Sequence, residues 1–180
     1  MRYSKVRTFT ILILLIIIDQ ITKIIIDRHY LDLEFNLIKG VIAFKPYLNI
    51  DYSWLNSLFK LEVGLMIHII IGIISLLITI IIYDFLKYKK YNLLIIDFMF
   101  INLLAGAICS LIDKVFWGGS LDFIWLKGFF IFDIKDVYIT IFEVTAVITI
   151  IKKYKVINNF RIKEVYDYVT QKINSYIVQK

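Results

Sequence analysis

Four aspartates lie close together in the second half of the chain, beside long apolar segments. Asp113, Asp122, Asp133 and Asp136 fall within 24 residues. Carboxylates near a bilayer cost free energy and mark functional sites by default. Two carboxylates held close together can share one proton, which is the chemistry of aspartic proteolysis. Asp122 lies between two apolar segments and Asp136 near the start of the second of them, but residue composition alone does not select two of the four acids.

A second polar group lies within the first apolar segment. Asp19, Thr22 and Lys23 are three and four residues apart, so they share one face of a helix. An ion pair between Asp19 and Lys23 would reduce the cost of placing two charges in a membrane. Two interpretations are open: the pair contributes to a polar site, or it only orients the helix.

The composition of the chain is that of a membrane protein. Of its 180 residues 60% are apolar, and the mean hydropathy is +0.78, which is too high for a soluble domain of this size. A single cysteine, Cys109, excludes an internal disulfide and a cysteine-based zinc site. The two histidines, His29 and His68, are far apart in sequence, so we expect no histidine metal site. We expect neither a metal nor an organic cofactor.

Four apolar segments predict an all-α integral membrane protein with four transmembrane helices. They extend over residues 9–26, 63–83, 93–112 and 129–151, each near the roughly 20 residues that span a bilayer. The first follows a basic start, as in a signal peptide, but it lacks a cleavage site of small residues, so we expect an uncleaved helix. Residues 41–54 have a β-like composition and predict a small extracytoplasmic β-containing loop region.

The basic residues are segregated along the chain, which predicts its orientation. Formal charges are +3 at the N-terminus, +2 over residues 84–90 and +5 over residues 152–180, whereas the rest of the chain carries −4. The positive-inside rule then places these three regions in the cytoplasm and residues 27–62 and 113–128 outside. This segregation argues against a nucleic-acid-binding surface, despite a net charge of +6.

The sequence divides into a membrane domain, residues 1–151, and a basic cytoplasmic tail, residues 152–180. Apolar residues in the tail recur at spacings of three and four, which predicts an amphipathic helix. This helix could lie on the inner leaflet, and a solvated tail is the alternative. The apolar residues of the tail are Ile162, Val165, Val169, Ile173 and Tyr176.

Five short motifs resemble those of one known family. Residues 19–23, Asp-Gln-Ile-Thr-Lys, match a D-Q-x-T-K motif in full, and residues 106–114 resemble G-A-I-G-N-x-x-D-R. Residues 120–123 resemble V-V-D-F, residues 132–136 resemble F-N-x-A-D, and Asn49 stands at the place of the Asn in N-x-G-A-A-F-S. In kind, order and predicted sidedness these motifs resemble those of signal peptidase II, the lipoprotein signal peptidases of bacteria. The basic tail, residues 152–180, is not part of this resemblance.

The resemblance implies a membrane aspartic endopeptidase that removes signal peptides from prolipoproteins. Asp122 and Asp136 would be its catalytic pair. The substrate would be a prolipoprotein whose cysteine carries a diacylglyceryl group, cleaved just before that cysteine at the outer face of the cytoplasmic membrane. The expected partners are these lipid-modified prolipoproteins and membrane lipids, and not nucleic acid. The residues expected to orient the pair or the substrate are Asp19, Lys23, Asn49, Ser110, Asp113, Lys114 and Asp133.

Four of the departures from the motifs of that family bear on the expected activity. Ser110 replaces an Asn and Lys114 an Arg, and lysine does not replace arginine where a bidentate hydrogen bond is made. Asp133 replaces an Asn and adds an acid, which Lys135, in place of an Ala, could offset. The chain is therefore an active divergent peptidase or an inactive homologue that serves as a membrane binding or assembly factor. Because both catalytic aspartates are present, we expect activity, and we expect Asp133→Asn to preserve or raise it.

A small transporter is an alternative from a further functional class. Its relay acids would be Asp19, Asp97 and Glu143. A transporter needs intramembrane acids that face one path through the bilayer. Most acids of this chain lie at the predicted outer face, which disfavours this alternative.

Overall fold

The computed structural model of the protein describes residues 2–89, 93–152 and 162–178. Most of these residues are helical, and a small antiparallel sheet joins the helices at one end. The helices are α1 (Arg2–His29), α2 (Trp54–Phe59), α3 (Leu65–Tyr88), α4 (Leu93–Ile112), α5 (Ile134–Lys152) and α6 (Ile162–Val178). The strands are β1 (Phe35–Ile38), β2 (Ile42–Asn49), β3 (Ser120–Leu126) and β4 (Phe130–Phe132). A π-helical turn, Asp113–Trp117, follows α4 directly.

Among the described residues, three helical segments are long and apolar enough to cross a membrane, as judged by length and composition. They are Val6–His29, Leu65–Tyr88 and Leu94–Trp117, each of 24 residues. Each rises about 36 Å, which exceeds the hydrocarbon thickness of a typical bilayer. Exposed apolar side chains along α3, such as Ile70 and Ile74, suit a helix that faces lipid. The prediction of a helical membrane protein is confirmed, whereas α5 as a fourth span stays a prediction.

Helix α5 begins later than the apolar segment that predicts it. Residues Phe130–Phe132 form β4, and the helix begins at Ile134. Asp133 ends the extended segment and caps the helix: its Oδ1 accepts the N–H of Asp136 at 3.2 Å, and Oδ2 of Asp136 accepts the N–H of Asp133 at 3.2 Å. This reciprocal pair of hydrogen bonds has the form of a capping box. The start of the fourth predicted segment, at residue 129, is therefore corrected to Ile134.

Helix α4 packs against three other long helices, α1, α3 and α5. Small side chains allow this close packing, and Ala105 and Cys109 on α4 are fully buried. A Cβ atom at Gly106 would lie 2.6 Å from Cγ1 of Ile139 and 3.1 Å from the carbonyl oxygen of Lys135. Gly106 therefore fixes how closely the first turns of α5 approach α4, and these turns carry Lys135 and Asp136.

The sheet has the strand order β1-β2-β3-β4 and is antiparallel throughout. Of the four strands, β2 lies within the stretch that predicts β structure, residues 41–54, whereas β1, β3 and β4 come from segments for which no strand is predicted. In the register of β2 and β3, Tyr47 lies opposite Asp122 and Asn49 opposite Ser120. Gly118, with φ of 65°, turns the chain out of the π-helical turn and into β3. The sheet thereby brings together the two segments of the chain that are predicted to lie outside, residues 27–62 and 113–128.

Helix α6 packs against the last turns of α3. The Nζ of Lys172 forms an ion pair with Asp84, and the hydroxyl of Tyr168 donates to Oδ2 of Asp84 at 2.7 Å. Lys89 and Glu164 form a further ion pair at 2.6 Å. Residues 153–161 of the predicted tail lie outside the described residues, as do residues 90–92 of the predicted cytoplasmic loop.

Candidate active site

Lys23, on α1, lies at the centre of three carboxylates. Its Nζ is 3.0 Å from Oδ2 of Asp19, 2.6 Å from Oδ2 of Asp113 and 2.7 Å from Oδ2 of Asp133. All four side chains are buried. A buried ammonium is tolerated when several anions compensate for its lost hydration. The structure therefore places the Asp19–Lys23 pair in a larger polar cluster that joins α1, the π-helical turn and the residue before α5.

Lys135, in the first turn of α5, supplies a second buried cation. Its Nζ lies 2.5 Å from Oδ2 of Asp133, 3.2 Å from Oδ2 of Asp113 and 3.5 Å from Oδ1 of Asp122. The same Nζ lies 2.5 Å from Oγ of Ser120. Its main-chain N–H donates to Oδ1 of Asp19 at 3.1 Å. Lys135 thus contacts acids from four different parts of the chain.

Asp122, on β3, is held by neighbours on two strands. Oγ of Ser120 donates to its Oδ1 at 2.6 Å, and Nδ2 of Asn49 donates to its Oδ2 at 3.2 Å. Only 4% of Asp122 is exposed. Burial raises the pKa of Asp122 above its ordinary value, and this effect outweighs the opposing attraction of Lys135 and the hydrogen bonds from Ser120 and Asn49. Asp122 is therefore an acid whose ionised form is costly.

Asp136 lies beside Asp122 and Asp133. One carboxylate oxygen from each of these three residues lies within 4.8 Å of the other two. A water molecule can bridge carboxylates at such a distance. Burial opposes ionisation of Asp133, but the charges of Lys135 and Lys23 outweigh it and lower the pKa of Asp133. Asp133 is therefore the most readily ionised acid of the three, and the sharing of one proton between Asp122 and Asp136 stays a prediction.

Gln20 and Trp117 belong to the same cluster, although neither is among the predicted site residues. Nε2 of Gln20 donates to Oδ2 of Asp19 at 2.9 Å and to Oδ1 of Asp113 at 3.1 Å. Its Oε1 accepts from Nε1 of Trp117 at 3.2 Å. Gln20 stands inside the D-Q-x-T-K motif, and that position was the available signal. Ser120 and Lys135 are also missed, although both lie within motifs that carry a predicted aspartate.

Ser110 and Lys114 pair with each other at the edge of the cluster. Nζ of Lys114 donates to Oγ of Ser110 at 2.7 Å, one helical turn earlier. Within the described ranges, Lys114 makes no ion pair at 4.0 Å or less. Of the nine predicted site residues, the structure brings the other seven into one network of contacts, and these two stand beside it. The seven are Asp19, Lys23, Asn49, Asp113, Asp122, Asp133 and Asp136.

The carboxylates of Asp122, Asp133 and Asp136 are close enough together to hold a cation. The ammonium of Lys135 already lies among them, 2.5 Å from Asp133 and 3.5 Å from Asp122. A divalent ion would therefore meet a fixed positive charge at this place. The expectation that the protein uses no metal stays a prediction.

The acids proposed for a transport path do not share one environment. Asp97, near the start of α4, pairs with Lys87 at 2.8 Å and accepts from the hydroxyl of Tyr83 at 2.6 Å. About 22 Å of helix separates Asp97 from the end of α4, where the acid cluster begins. Glu143 is exposed on α5. Asp19, Asp97 and Glu143 therefore do not line one path in this structure.

Comparisons with known proteins identify the family of this chain. A model of the signal peptidase (SPase) II family matches residues 11–152. Two solved structures, each described as a bacterial membrane enzyme, have TM-scores of 0.69 and 0.67 and identities of 27% and 29%. They cover 87% and 82% of this chain and 94% of their own chains. No curated protein sequence matches the chain. Because the family model spans most of the sequence, including every residue of the acid cluster, this chain belongs to the signal peptidase II family.

Proposed function

We propose that this protein is a membrane aspartic endopeptidase that removes signal peptides from diacylglyceryl-modified prolipoproteins. Membership of the signal peptidase II family supports this function. The observation that carries the assignment of the site is the distance between Asp122 and Asp136. Oxygens of their carboxylates lie within 4.8 Å of each other, and both residues lie in the segment that the family model matches.

The proposed reaction uses one water molecule between the two acids. The ionised carboxylate takes a proton from this water while the water oxygen attacks the carbonyl carbon of the scissile peptide bond. The protonated carboxylic acid donates a hydrogen bond, and then its proton, to the carbonyl oxygen. The tetrahedral intermediate collapses when the C–N bond breaks. The leaving nitrogen takes up the proton held by the first acid, and one hydroxyl of the intermediate returns its proton to the second acid as the carbonyl group forms again. Two acids at this distance titrate as a pair.

The other residues of the cluster fix the geometry of this pair. Lys23 ties Asp113 and Asp133 to α1, and Asn49 and Ser120 hold the Asp122 carboxylate on the sheet. A carboxylate held by fixed donors loses little free energy to reorganisation when a substrate binds. We therefore assign these residues positioning roles.

The position of the site in the fold suits a substrate that carries a lipid. It lies at the end of α1 and α4 that carries the sheet, and Phe116 and Phe129 nearby in sequence expose 79% and 80% of their surface. Large exposed apolar side chains favour contact with lipid or with a lipid-modified substrate. With the positive-inside orientation, this end faces the outside of a bacterial cytoplasmic membrane, both termini lie in the cytoplasm, and α5 is the fourth span.

The altered motif positions do not remove a contact of the catalytic pair. Ser110 and Lys114 contact each other and leave the hydrogen bonds of Asp122 and Asp136 in place. Asp133 and Lys135 depart from the family motif together, and they form an ion pair at 2.5 Å. These contacts support an active enzyme over an inactive binding or assembly factor.

The direct test is cleavage of a diacylglyceryl-modified prolipoprotein by the purified protein in lipid nanodiscs, followed by mass spectrometry. We expect cleavage before the modified cysteine. Asp122→Asn and Asp136→Asn should each abolish cleavage while the protein stays folded. Asp97→Asn is the matched control, since it removes another buried carboxylate far from the pair. Equal cleavage by the wild type and both variants of the pair would refute the proposed chemistry.

A further inference from the structure

Lys135 is buried inside a cluster of acids, and only 6% of it is exposed. Its Nζ lies within 3.5 Å of Asp113, Asp122 and Asp133. We propose that Asp133 and Lys135 form a charge-compensated positioning pair that keeps Asp122 ionised and leaves the shared proton on Asp136. This inference rests on the proposed function of Asp122 and Asp136 as the catalytic acids.

The two catalytic acids receive unequal support for their ionised forms. The carboxylate of Asp122 accepts hydrogen bonds from Ser120 at 2.6 Å and Asn49 at 3.2 Å, and the ammonium of Lys135 lies 3.5 Å away. In the part of the chain that the structure describes, the carboxylate of Asp136 accepts one hydrogen bond, from the main chain of Asp133 at 3.2 Å. Donors and cations near a carboxylate favour its charged form. Asp122 is therefore the base that activates water, and Asp136 is the acid.

The cation of Lys135 and the anion of Asp133 must be present together. Oδ2 of Asp133 lies between two ammonium groups, 2.7 Å from Lys23 and 2.5 Å from Lys135. Without Asp133, Lys135 would keep ion pairs with Asp113 and Asp122 only, and its full charge would act on the catalytic pair. Without Lys135, the charge of Asp133 would face Asp122 with Lys23 alone to balance it, and Lys23 is already shared with Asp19 and Asp113.

The two single substitutions should therefore shift the pH profile in opposite directions. Lys135→Ala removes a cation, raises the pKa values of the pair and moves the acid limb of kcat/KM to higher pH. Asp133→Asn removes an anion, lowers these pKa values and moves both limbs to lower pH. The charged groups that face the pair from all neighbouring elements are Asp19 and Lys23 on α1, Asp113 and Lys114 on the π-helical turn, and Asp133 and Lys135 at the start of α5.

The test is a double-mutant cycle on Asp133→Asn and Lys135→Ala, with kcat/KM measured against pH on a diacylglyceryl-modified prolipoprotein. The kcat/KM of each single variant should fall about tenfold or more at the pH optimum of the wild type. The double variant should recover most of that loss, because the effects of two coupled charges are not additive. Lys135→Arg, which keeps the cation, should return the acid limb toward its wild-type position. A double variant whose loss is the product of the single losses, with unshifted profiles, would overturn the inference.

A second measurement applies even where a single variant does not fold. Infrared difference spectra of the wild type at neutral pH should contain the C=O stretch of one protonated carboxylic acid in the site. This band should vanish in Asp136→Asn and persist in Asp122→Asn. The reverse pattern would overturn the assignment of the proton.

The outcomes also separate this inference from the proposed function. Suppose that the wild type cleaves the substrate, that Asp122→Asn and Asp136→Asn are both inactive, and that the double-mutant cycle is additive. In that case the inference alone fails. If the wild type does not cleave the lipid-modified substrate, the proposed function fails and the inference fails with it.

Discussion

Asn49, on β2, contacts Asp122 on the neighbouring strand β3, with its Nδ2 3.2 Å from Oδ2 of the carboxylate. The contact depends on the register of β2 and β3, in which Asn49 lies opposite Ser120. Gly119 permits this register, since a Cβ atom there would lie 2.7 Å from the carbonyl oxygen of Asn49. The last residue of β2 thus stabilises the charged form of a proposed catalytic acid.

Asn49→Ala should reduce kcat/KM about tenfold to a hundredfold, because a hydrogen bond to a charged group contributes about 1.5–3 kcal/mol. The acid limb of the pH profile should move to higher pH, since the ionised form of Asp122 loses a donor. Asn36→Ala is the matched control: Asn36 lies on the exposed strand β1, where its Oδ1 accepts from Lys127. Equal losses for the two variants would contradict this role of Asn49.

Lys23→Met should lower the free energy of unfolding by about 3–5 kcal/mol, the usual cost of removing one partner of a buried ion pair. Lys23 is fully buried and contacts three carboxylates. The control is Lys87→Met, since Lys87 is partly exposed and, among the described residues, pairs with one carboxylate, that of Asp97, at 2.8 Å. Thermal unfolding in the same detergent would compare the two variants. An equal shift for both would mean that the cluster adds nothing to the stability of the membrane helices.

Hydropathy and motif spacing suffice to predict the long helices and the acids of the site, because both are local in sequence. The contacts of Lys135 are not local: its Nζ meets Asp113, Asp122 and Asp133, and its main chain meets Asp19. Only the packing of α1, α4, α5 and the sheet brings these partners together. An apolar run also does not distinguish β4 from the start of a helix, and β3 needs β2 as its partner.

The structure also changes one expectation drawn from the motifs. Asp133→Asn restores the residue of the family motif, and the motif alone predicts that activity persists or rises. In the fold, Asp133 shares one oxygen between Lys23 and Lys135. Restoring the motif residue alone would therefore leave Lys135 uncompensated, and the structure favours a loss of activity unless position 135 changes as well.

The orientation in the membrane can be tested with single cysteines on a Cys109→Ala background. Lys89→Cys, at the end of α3, should react with a membrane-impermeant maleimide only after the cells are opened, because the basic segments are retained in the cytoplasm. Asp32→Cys, exposed between α1 and β1, should react in intact cells. Labelling of position 89 from outside would invert the site and exclude cleavage at the outer face.

Weakening the contacts that hold helix α6 should not change catalysis. Asp84 holds both Lys172 and Tyr168 of this helix, and α6 lies outside the segment that the family model matches. We expect Asp84→Asn to raise amide hydrogen exchange in α6 about tenfold, because one charge-assisted contact of about 1.5 kcal/mol is lost. Cleavage should be unchanged. Asp167→Asn, exposed on α6, is the control and should leave exchange as in the wild type.

Asp122 and Asp133 should respond in opposite ways when each is changed to Asn. The pKa of Asp122 is raised by burial, so its folded form binds a proton more tightly than the unfolded chain does. Its ionised form therefore costs stability, and this cost grows as pH rises from the unfolded value of about 3.9 through the folded pKa. Asp122→Asn should then raise the unfolding free energy at pH 7 while it abolishes cleavage, and the gain should shrink toward pH 4.

Asp133 provides the matched contrast, because its pKa is lowered by Lys135 and Lys23 despite its burial. Its ionised form contributes stability above the unfolded pKa, and that contribution is lost as pH falls through the folded value. Asp133→Asn should therefore lower the unfolding free energy at pH 7, and the difference from the wild type should narrow in acid. Thermal unfolding of both variants at pH 4 and pH 7 checks the two signs. Shifts of the same sign at pH 7 would show that burial and ion pairing do not divide the two acids into a catalytic residue and a structural anion.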